Sequence, residues 1–324
     1  MGNDDLLTEI SNVGIVPVVV LDNVDQALPL AKALYAGGIG CIEVTFRTAA
    51  AEEAIRILSE KIPEMLLGAG TVLTVEQANR AINAGARFIV SPGFNSKIVK
   101  YCIDNSTTII PGCATPSDIE SALELGIQVI KFFPAEAAGG LDMIRAMSAP
   151  YANVKFIPTG GINIKNLNTY LSFDRVIACG GSWIASKELV RNRDYEAIKK
   201  LAREAVFIML GFEMQHIGIN MSDETLANQI SIVFETLFGF IKQERTGSFF
   251  AGSSIEIMKK QFLGKNGHIA ISTNNVRRAI YYLEKIGVTF MKETALYDKI
   301  GNIRSIYLDK EIGNFAIHLL QKSN

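Results

Sequence analysis

The first two-thirds of the chain alternates short apolar runs with amphipathic stretches, which is the rhythm of parallel strands covered by helices. Each apolar run is followed by a segment whose apolar residues have helical spacing. The pattern predicts an α/β fold, a (β/α)₈ TIM barrel, over residues 1–210. The predicted strands are 13–20, 40–44, 65–69, 88–91, 108–111, 127–132, 154–158 and 175–178.

The rhythm changes after residue 210, where an internal repeat begins. The segment Gln215–Asn220 and the helical stretch behind it are echoed by Gly267–Ser272 and a second helical stretch. Short strands close each copy, at 249–251 and 254–259 in the first and at 303–309 and 314–320 in the second. Residues 211–324 are therefore predicted to form a smaller α+β domain of two βαβββ modules.

Charge and composition exclude several classes of partner. The chain has 32 basic and 33 acidic residues, which leaves no cationic footprint for nucleic acid or an anionic membrane. Its apolar runs fall short of the ~20 residues of a membrane span, and residues 1–5 are acidic rather than basic. Its four cysteines lack metal-ligand spacing. We expect a cytoplasmic protein that acts on small molecules.

Lys131 is the most unusual residue of the barrel segment, because it lies at the end of an apolar run and is followed by Phe132, Phe133 and Pro134. Burial disfavours the ammonium form and favours the neutral amine, which attacks carbonyl groups. The alternative is that the stem of Lys131 packs on the strand while its head reaches solvent. The residues around Lys131 therefore leave two interpretations open, a catalytic nucleophile and an ordinary strand-end lysine.

Other predicted strand ends carry groups that complement an amine nucleophile. Lys131 could form an imine with a 2-oxo acid, Glu43 could transfer protons, and Arg47 could bind a carboxylate. The amides of Gly160–Gly161 and Gly180–Ser182 could bind a phosphate. Taken singly, each group has an ordinary structural explanation: Glu43 as half of a buried ion pair, Arg47 as a surface arginine, and the glycine pairs as common turns. Their conjunction at the strand ends of one barrel predicts an active site.

The segments around these residues resemble the bacterial KDPG/KHG aldolase family over about residues 5–208. The resemblance implies a class I aldolase that splits 2-dehydro-3-deoxy-6-phosphogluconate into pyruvate and glyceraldehyde 3-phosphate, and often 4-hydroxy-2-oxoglutarate into pyruvate and glyoxylate. It also implies a homotrimer that needs no cofactor. The segments that carry it are 16–20, 40–48, 68–72, 91–93, 110–112, 130–136, 158–162 and 180–183.

The resemblance assigns a role to individual residues. It implies that Lys131 forms the Schiff base and that Glu43 transfers protons. Arg47 and Thr71 would bind the substrate carboxylate, and Gly160, Gly161 and Ser182 would bind its phosphate. Phe46 stands where relatives often have leucine, and residues 113–115 vary across the family, so the aldehyde partner stays open. The alternatives are a phosphogalactonate-type aldolase, a thiamine-phosphate-synthase-like transferase and a non-catalytic sugar-acid-binding barrel. The transferase class has no Schiff-base lysine on its sixth strand, so Lys131 and Glu43 together argue against it.

The histidines of the chain all fall in the second domain. His216 and His268 occupy the same position in the two repeat copies, while Glu256 and His318 lie on the last strand of each copy. Strand alternation places these four side chains on one sheet face. Such a set could ligate a divalent ion, for which zinc, nickel, iron and manganese are equally suitable. The alternative is that these are ordinary polar residues of a sheet.

The paired modules resemble the vicinal-oxygen-chelate fold of glyoxalases and extradiol dioxygenases over about residues 213–322. That resemblance implies a metal centre at the four residues, with His318 standing where many members have a second glutamate. It is equally compatible with a regulatory or ligand-binding module.

Overall fold

The computed structural model describes residues 3–323 and divides the chain into two compact units. The first unit ends at Met209 and the second begins at Leu210. Residues 1 and 2 of the acidic start lie outside the described residues.

The first unit alternates strands and helices. Its strands are short and largely buried, as expected where a parallel sheet is covered by helices. The strands are β1 Ile15–Val19, β2 Cys41–Thr45, β3 Leu66–Gly70, β4 Phe88–Val90, β5 Thr108–Ile110, β6 Val129–Phe132, β7 Lys155–Pro158 and β8 Cys179–Gly181. The helices are α1 Asn3–Val13, α2 Ala27–Ala36, α3 Ala51–Lys61, α4 Val75–Asn83, α5 Ser96–Asp104, α6 Pro116–Glu124, α7 Gly140–Ser148, α8 Leu167–Leu171, α9 Lys187–Arg191 and α10 Tyr195–Leu210.

The strands close into a ring. Parallel pairing gives the order β5-β4-β3-β2-β1-β8 and, separately, β6-β7. The bridge Gly112↔Lys131 joins the β5 side to β6, and the bridges Phe156↔Val176 and Thr159↔Gly180 join β7 to the β8 side. The predicted (β/α)₈ barrel is confirmed. Since all the strands are parallel, their carboxyl ends meet at one end of the barrel.

The position of the eighth strand differs from the sequence prediction. Residues 175–178 contribute a single bridge at Val176, and β8 lies at Cys179–Gly181. The reason is close packing: a Cβ on Gly180 would collide with the Thr159 hydroxyl, so only glycine lets the strand approach β7 there. Glycine has a low strand propensity, which is why the pattern shifted the prediction towards the preceding apolar residues.

The second unit is a single mixed sheet built from two copies of one module. Its strands are β9 Glu213–Asn220, β10 Lys242–Glu244, β11 Ser248–Ala251, β12 Ile255–Met258, β13 Gly267–Thr273, β14 Phe290–Tyr297, β15 Ile303–Leu308 and β16 Phe315–Gln321. Helix α11 Glu224–Phe238 follows β9, and helix α12 Val276–Lys285 follows β13. The strand order is β10-β11-β12-β9-β13-β16-β15-β14, so the two βαβββ modules meet at the antiparallel pair β9–β13. The predicted two-module architecture is confirmed.

Helix α11 covers one face of the first module. Ala227 of α11 packs in a buried cluster with Phe249, Ala251 and Ile257 of β11 and β12. The alternate residues of those strands, such as Phe250 and Glu256, therefore point to the opposite face of the sheet.

No helix within residues 3–323 combines the length and apolar character that crossing a lipid bilayer requires.

Candidate functional site

Lys131 and Glu43 form a buried ion pair inside the barrel. Lys131 lies on β6 and Glu43 on β2, and the distance from Lys131 Nζ to Glu43 Oε1 is 3.3 Å. Only 7% of Lys131 and 3% of Glu43 is exposed. The Nζ atom also lies 5.6 Å from the centroid of the Phe133 ring. The amine is therefore largely shielded from bulk solvent, and its charged neighbour can accept a proton from it.

A small cavity gives access to this pair. Most of its walls are aliphatic or aromatic, which limits the water around the amine. The lining residues are Glu43 and Lys131 with Val16, Phe88, Val90, Ile110, Ile157 and Thr159. The cavity is small and apolar with two convergent charged groups, as expected for a site that binds a small polar molecule.

Arg47 and Thr71 meet at the same end of the barrel. They follow the carboxyl ends of β2 and β3, and Arg47 Nε donates a hydrogen bond of 3.1 Å to Thr71 Oγ1. Thr71 has a φ of 55°, a left-handed conformation that is uncommon for a threonine. Arg47 is exposed, so its guanidinium is available to an anion.

The two glycine loops follow the neighbouring strands β7 and β8. Gly160 and Gly161 have φ values of 99° and 85°, which glycine adopts at little cost. Glu136 N donates to Gly160 O at 3.0 Å, and the side chains of Asn163 and Asn166 donate to Gly161 O at 3.1 Å. These bonds fix the path of the loop. Ser182, directly after β8, is exposed.

Apart from Lys131 and Glu43, the lining residues of the cavity were not singled out from the sequence, and two of them lie next to glycines of the site. Thr159 is buried and lines the cavity directly before the Gly160–Gly161 loop, and the Phe88 ring lies against Gly68. The position of Thr159 at a strand end could have identified it as a site residue. Nothing in the sequence marks Phe88, because a phenylalanine in a strand is normally a core residue.

The barrel and the chemistry at its strand ends define an enzyme of the aldehyde-lyase class, a class I aldolase, and comparison with known proteins gives the family. Residues 7–201 match the family model described as KDPG and KHG aldolase. The chain belongs to this family. The match stops at residue 201, so it does not describe the second unit.

Similar proteins carry the same names. A 2-dehydro-3-deoxy-phosphogluconate aldolase of Treponema pallidum is 49% identical over 200 residues, which are 62% of this chain and 95% of that protein. The KHG/KDPG aldolase of Escherichia coli K12 is 42% identical over 192 residues, 59% of this chain and 90% of that protein.

A solved structure supports the same family assignment for the barrel. The KDPG aldolase of Legionella pneumophila, with pyruvate captured as a covalent carbinolamine intermediate, is 40% identical with a TM-score of 0.61, covering 63% of this chain and 98% of that one.

The second unit gathers the four residues that the sequence analysis placed on one sheet face. His216 Nε2 lies 3.1 Å from His268 Nε2, and Glu256 Oε2 lies 3.2 Å from the first and 3.1 Å from the second. The third histidine, His318, has a ligand nitrogen within 4.8 Å of those of the other two. The three histidines are buried, so the cluster is enclosed by the fold.

The electrostatics of this cluster are unusual. Burial raises the pKa of Glu256, but hydrogen bonds with His216, His268 and Ser248 more than offset it and hold the pKa well below its usual range. Burial lowers the pKa of His318 to about 3. Within the described residues, neither ring nitrogen of His318 has a hydrogen-bond partner. A buried imidazole with two unsatisfied nitrogens is costly unless something else binds it.

Two neighbours of the cluster were missed by sequence reasoning. Ser248 Oγ donates a hydrogen bond of 2.6 Å to Glu256 Oε1, leaving Oε2 directed at the histidines. Tyr307 stacks on His318 with ring centroids 4.6 Å apart. No motif marks either residue, and only the register of the strands brings them to the cluster.

Proposed function

We propose that the barrel cleaves 2-dehydro-3-deoxy-6-phosphogluconate into pyruvate and glyceraldehyde 3-phosphate through a Schiff base on Lys131. The observation that carries this proposal is the buried Lys131–Glu43 pair in a small apolar cavity. The names of the similar proteins support the substrate, and 4-hydroxy-2-oxoglutarate is proposed as a second one because some of those names include KHG.

Lys131 acts as the nucleophile in this mechanism. Transfer of a proton to Glu43 leaves a neutral amine, which adds to the C2 carbonyl of the substrate to give a carbinolamine. Protonated Glu43 returns this proton to the carbinolamine hydroxyl, and loss of water then produces an iminium ion, which accepts the electron pair of the C3–C4 bond when that bond breaks. The apolar walls of the cavity protect the iminium from premature hydrolysis.

Glu43 acts as the proton carrier. It takes the proton of the C4 hydroxyl as the aldehyde leaves, directly or through one water, and then returns a proton to C3 of the enamine. Hydrolysis of the resulting iminium releases pyruvate and restores Lys131. One carboxylate serves both steps because its oxygen already lies 3.3 Å from the reacting nitrogen.

The remaining groups bind the two ends of the substrate. Arg47, aligned by its hydrogen bond to Thr71, binds the C1 carboxylate. The loop Gly160–Gly161 and the exposed Ser182 bind the phosphate at the other end, since loops after the seventh and eighth strands of such barrels commonly do so. A homotrimer and a cytoplasmic location belong to the same proposal, and light scattering of the purified chain tests the trimer.

Reductive trapping tests the mechanism. Borohydride added in the presence of pyruvate should inactivate the enzyme and leave an adduct that peptide mass spectrometry locates on Lys131. Lys131→Met should lose both cleavage and trapping, whereas Lys155→Met, an exposed lysine on the adjacent strand β7, should keep both. Active enzyme without an adduct on Lys131 would refute the Schiff-base mechanism.

We propose in addition that the second unit, which resembles glyoxalase-type vicinal-oxygen-chelate domains, binds a divalent metal through His216, His268, His318 and Glu256. The fit rests on three observations: separations of about 3 Å suit neighbouring ligands of one ion, Glu256 is held ionised, and the nitrogens of His318 lack other partners. A bound ion would supply Lewis-acid chemistry to whatever ligand enters.

Metal analysis tests this second proposal. Purified wild-type protein should contain close to one equivalent of a transition metal per chain, and His216→Ala should lose most of it. Gln215→Ala is the matched control, because this neighbour on β9 is exposed and should leave the metal content unchanged. Equal metal content in His216→Ala and wild type would end the proposal.

A further inference from the structure

Strand β3 presents bare backbone to the barrel interior at two alternate positions, Gly68 and Gly70. Each space is filled by a side chain from a neighbouring strand. A Cβ on Gly68 would lie 2.6 Å or less from three atoms of the Phe88 ring of β4. A Cβ on Gly70 would lie 2.6 Å from Cγ and Cδ of Glu43 and closer still to its Oε1. The carboxyl group of Glu43 thus occupies the place where residue 70 would otherwise have its side chain.

We infer that Gly70 is a positioning residue for proton transfer: the absence of its side chain allows the Glu43 carboxylate to lie beside Lys131. The inference rests on the proposed aldolase mechanism, in which Glu43 carries the proton. It assigns a function to the glycine itself, apart from any need for an unusual backbone, because Gly70 lies within an extended strand and has no positive φ.

The surroundings decide which group must move when residue 70 gains a methyl group. The β3 backbone cannot recede, because it pairs with β2 at Thr45↔Gly70 and Gly70 O accepts a hydrogen bond of 2.8 Å from Phe46 N. Glu43 is anchored on β2 opposite Gly68, and its side chain leans along β3 towards Gly70. The flexible group is the carboxylate, so the displacement falls on the atoms that face Lys131 Nζ.

The expected result is a separation of two steps that one active site normally performs together. With pyruvate alone, Lys131 forms the iminium, and Glu43 then removes a C3 proton and returns a deuteron from D₂O. Gly70→Ala should reduce this C3 exchange at least 10-fold, since a positioned acid–base group contributes roughly 10²- to 10⁴-fold. The final extent of borohydride trapping of pyruvate on Lys131, measured after full incubation, should fall less than threefold, because Glu43 sets the rate of iminium formation and not the equilibrium between amine and iminium.

A double-variant cycle distinguishes positioning from general damage. Glu43→Asp shortens the side chain by one methylene and should reduce exchange by itself. In Gly70→Ala the shorter side chain lacks the atom that would lie nearest the new methyl group, Oε1 of Glu43, so the collision is smaller. The double variant should therefore exchange at least fivefold faster than the product of the two single effects predicts. If Gly70 serves only the packing of the strand, the two effects multiply.

The exchange and trapping assays also test a control variant and define the results that would contradict the inference. Gly93→Ala adds the same methyl group after β4, where no described atom lies within 4 Å, and should leave exchange and trapping unchanged. Wild-type exchange by Gly70→Ala, equal losses of exchange and trapping, or multiplicative effects in the cycle would each overturn the inference. Wild-type protein that neither traps nor exchanges pyruvate would instead refute the aldolase proposal, and the inference with it.

Discussion

At the scale of single residues, the ion pair in the barrel couples catalysis to stability. Lys131→Met leaves the Glu43 carboxylate in an apolar cavity without a counter-charge, and breaking a buried pair in this way costs about 3–5 kcal/mol. We expect the free energy of unfolding in urea to fall by that amount at neutral pH.

The double variant Lys131→Met with Glu43→Gln provides the matching control. It removes both charges, so most of the lost stability should return although the enzyme stays inactive. If the single and double variants unfold at the same urea concentration, the charge of Glu43 is not what destabilises the protein.

Buried thiols give a second prediction at this scale. Burial raises the pKa of Cys102 and Cys113 to about 12 and raises that of Cys41 as well, and Cys179 is also buried. At pH 8 the solution lies far below these pKa values, so the thiols stay protonated and unreactive. Ellman's reagent should detect fewer than one thiol in native protein and four in 6 M guanidinium chloride. A native thiol that reacts within seconds would contradict this account.

Sequence reasoning found the charged residues of the site more readily than its neutral ones. Lys131 and Glu43 are conspicuous because charges are rare in buried strands, so their positions required a functional explanation. Thr159, Phe88 and Ser248 have residue types that fit any strand. Their contacts depend on strand register and side-chain direction, which apolar patterns do not specify.

At the scale of elements, the loop after β7 offers a test of phosphate binding. A Cβ on Gly161 would lie 2.6 Å from Glu136 Cβ and closer to Cγ, at a φ of 85°. Gly161→Ala should therefore displace the loop and raise KM for the phosphorylated substrate at least 10-fold. Trapping of pyruvate, which has no phosphate, should be unchanged.

Gly126→Ala is the appropriate control for the loop. Gly126 also has a positive φ, of 78°, but no described atom lies within 4 Å of a Cβ placed on it, and it precedes the amino end of β6, at the end of the strand opposite the site. This variant should lose stability without a change in KM. Equal KM values for Gly161→Ala and wild type would exclude the loop from phosphate binding.

Elements with a strong period were predicted better than elements made of glycine. Seven barrel strands agree with the apolar runs to within a few residues, whereas β8, Cys179–Gly181, was displaced from its predicted position. Its strand character comes from close contact with β7 rather than from its own side chains. Local propensity cannot reveal such a strand.

At the scale of the whole molecule, the two candidate centres belong to separate units and use different chemistry. In the mechanism proposed for the barrel, the iminium on Lys131 is the electron sink, so the proposed cleavage requires no metal ion. Dialysis against a chelator, or His216→Ala, should remove the metal proposed for the second unit and leave kcat for pyruvate release within twofold of wild type. Loss of activity in proportion to loss of metal would contradict this separation.

The symmetry of the second unit has an evolutionary consequence. Glu256 lies opposite Gly218, two residues after His216, and His318 lies opposite Ala270, two residues after His268, so the four proposed ligands form two equivalent pairs. In an assembly of two identical separate modules, one mutation changes the corresponding member of both pairs, so the charge of the proposed centre changes in steps of two. When both modules lie in one chain, one copy can keep a carboxylate while the other acquires an imidazole. The charge of the proposed centre can then change by a single unit.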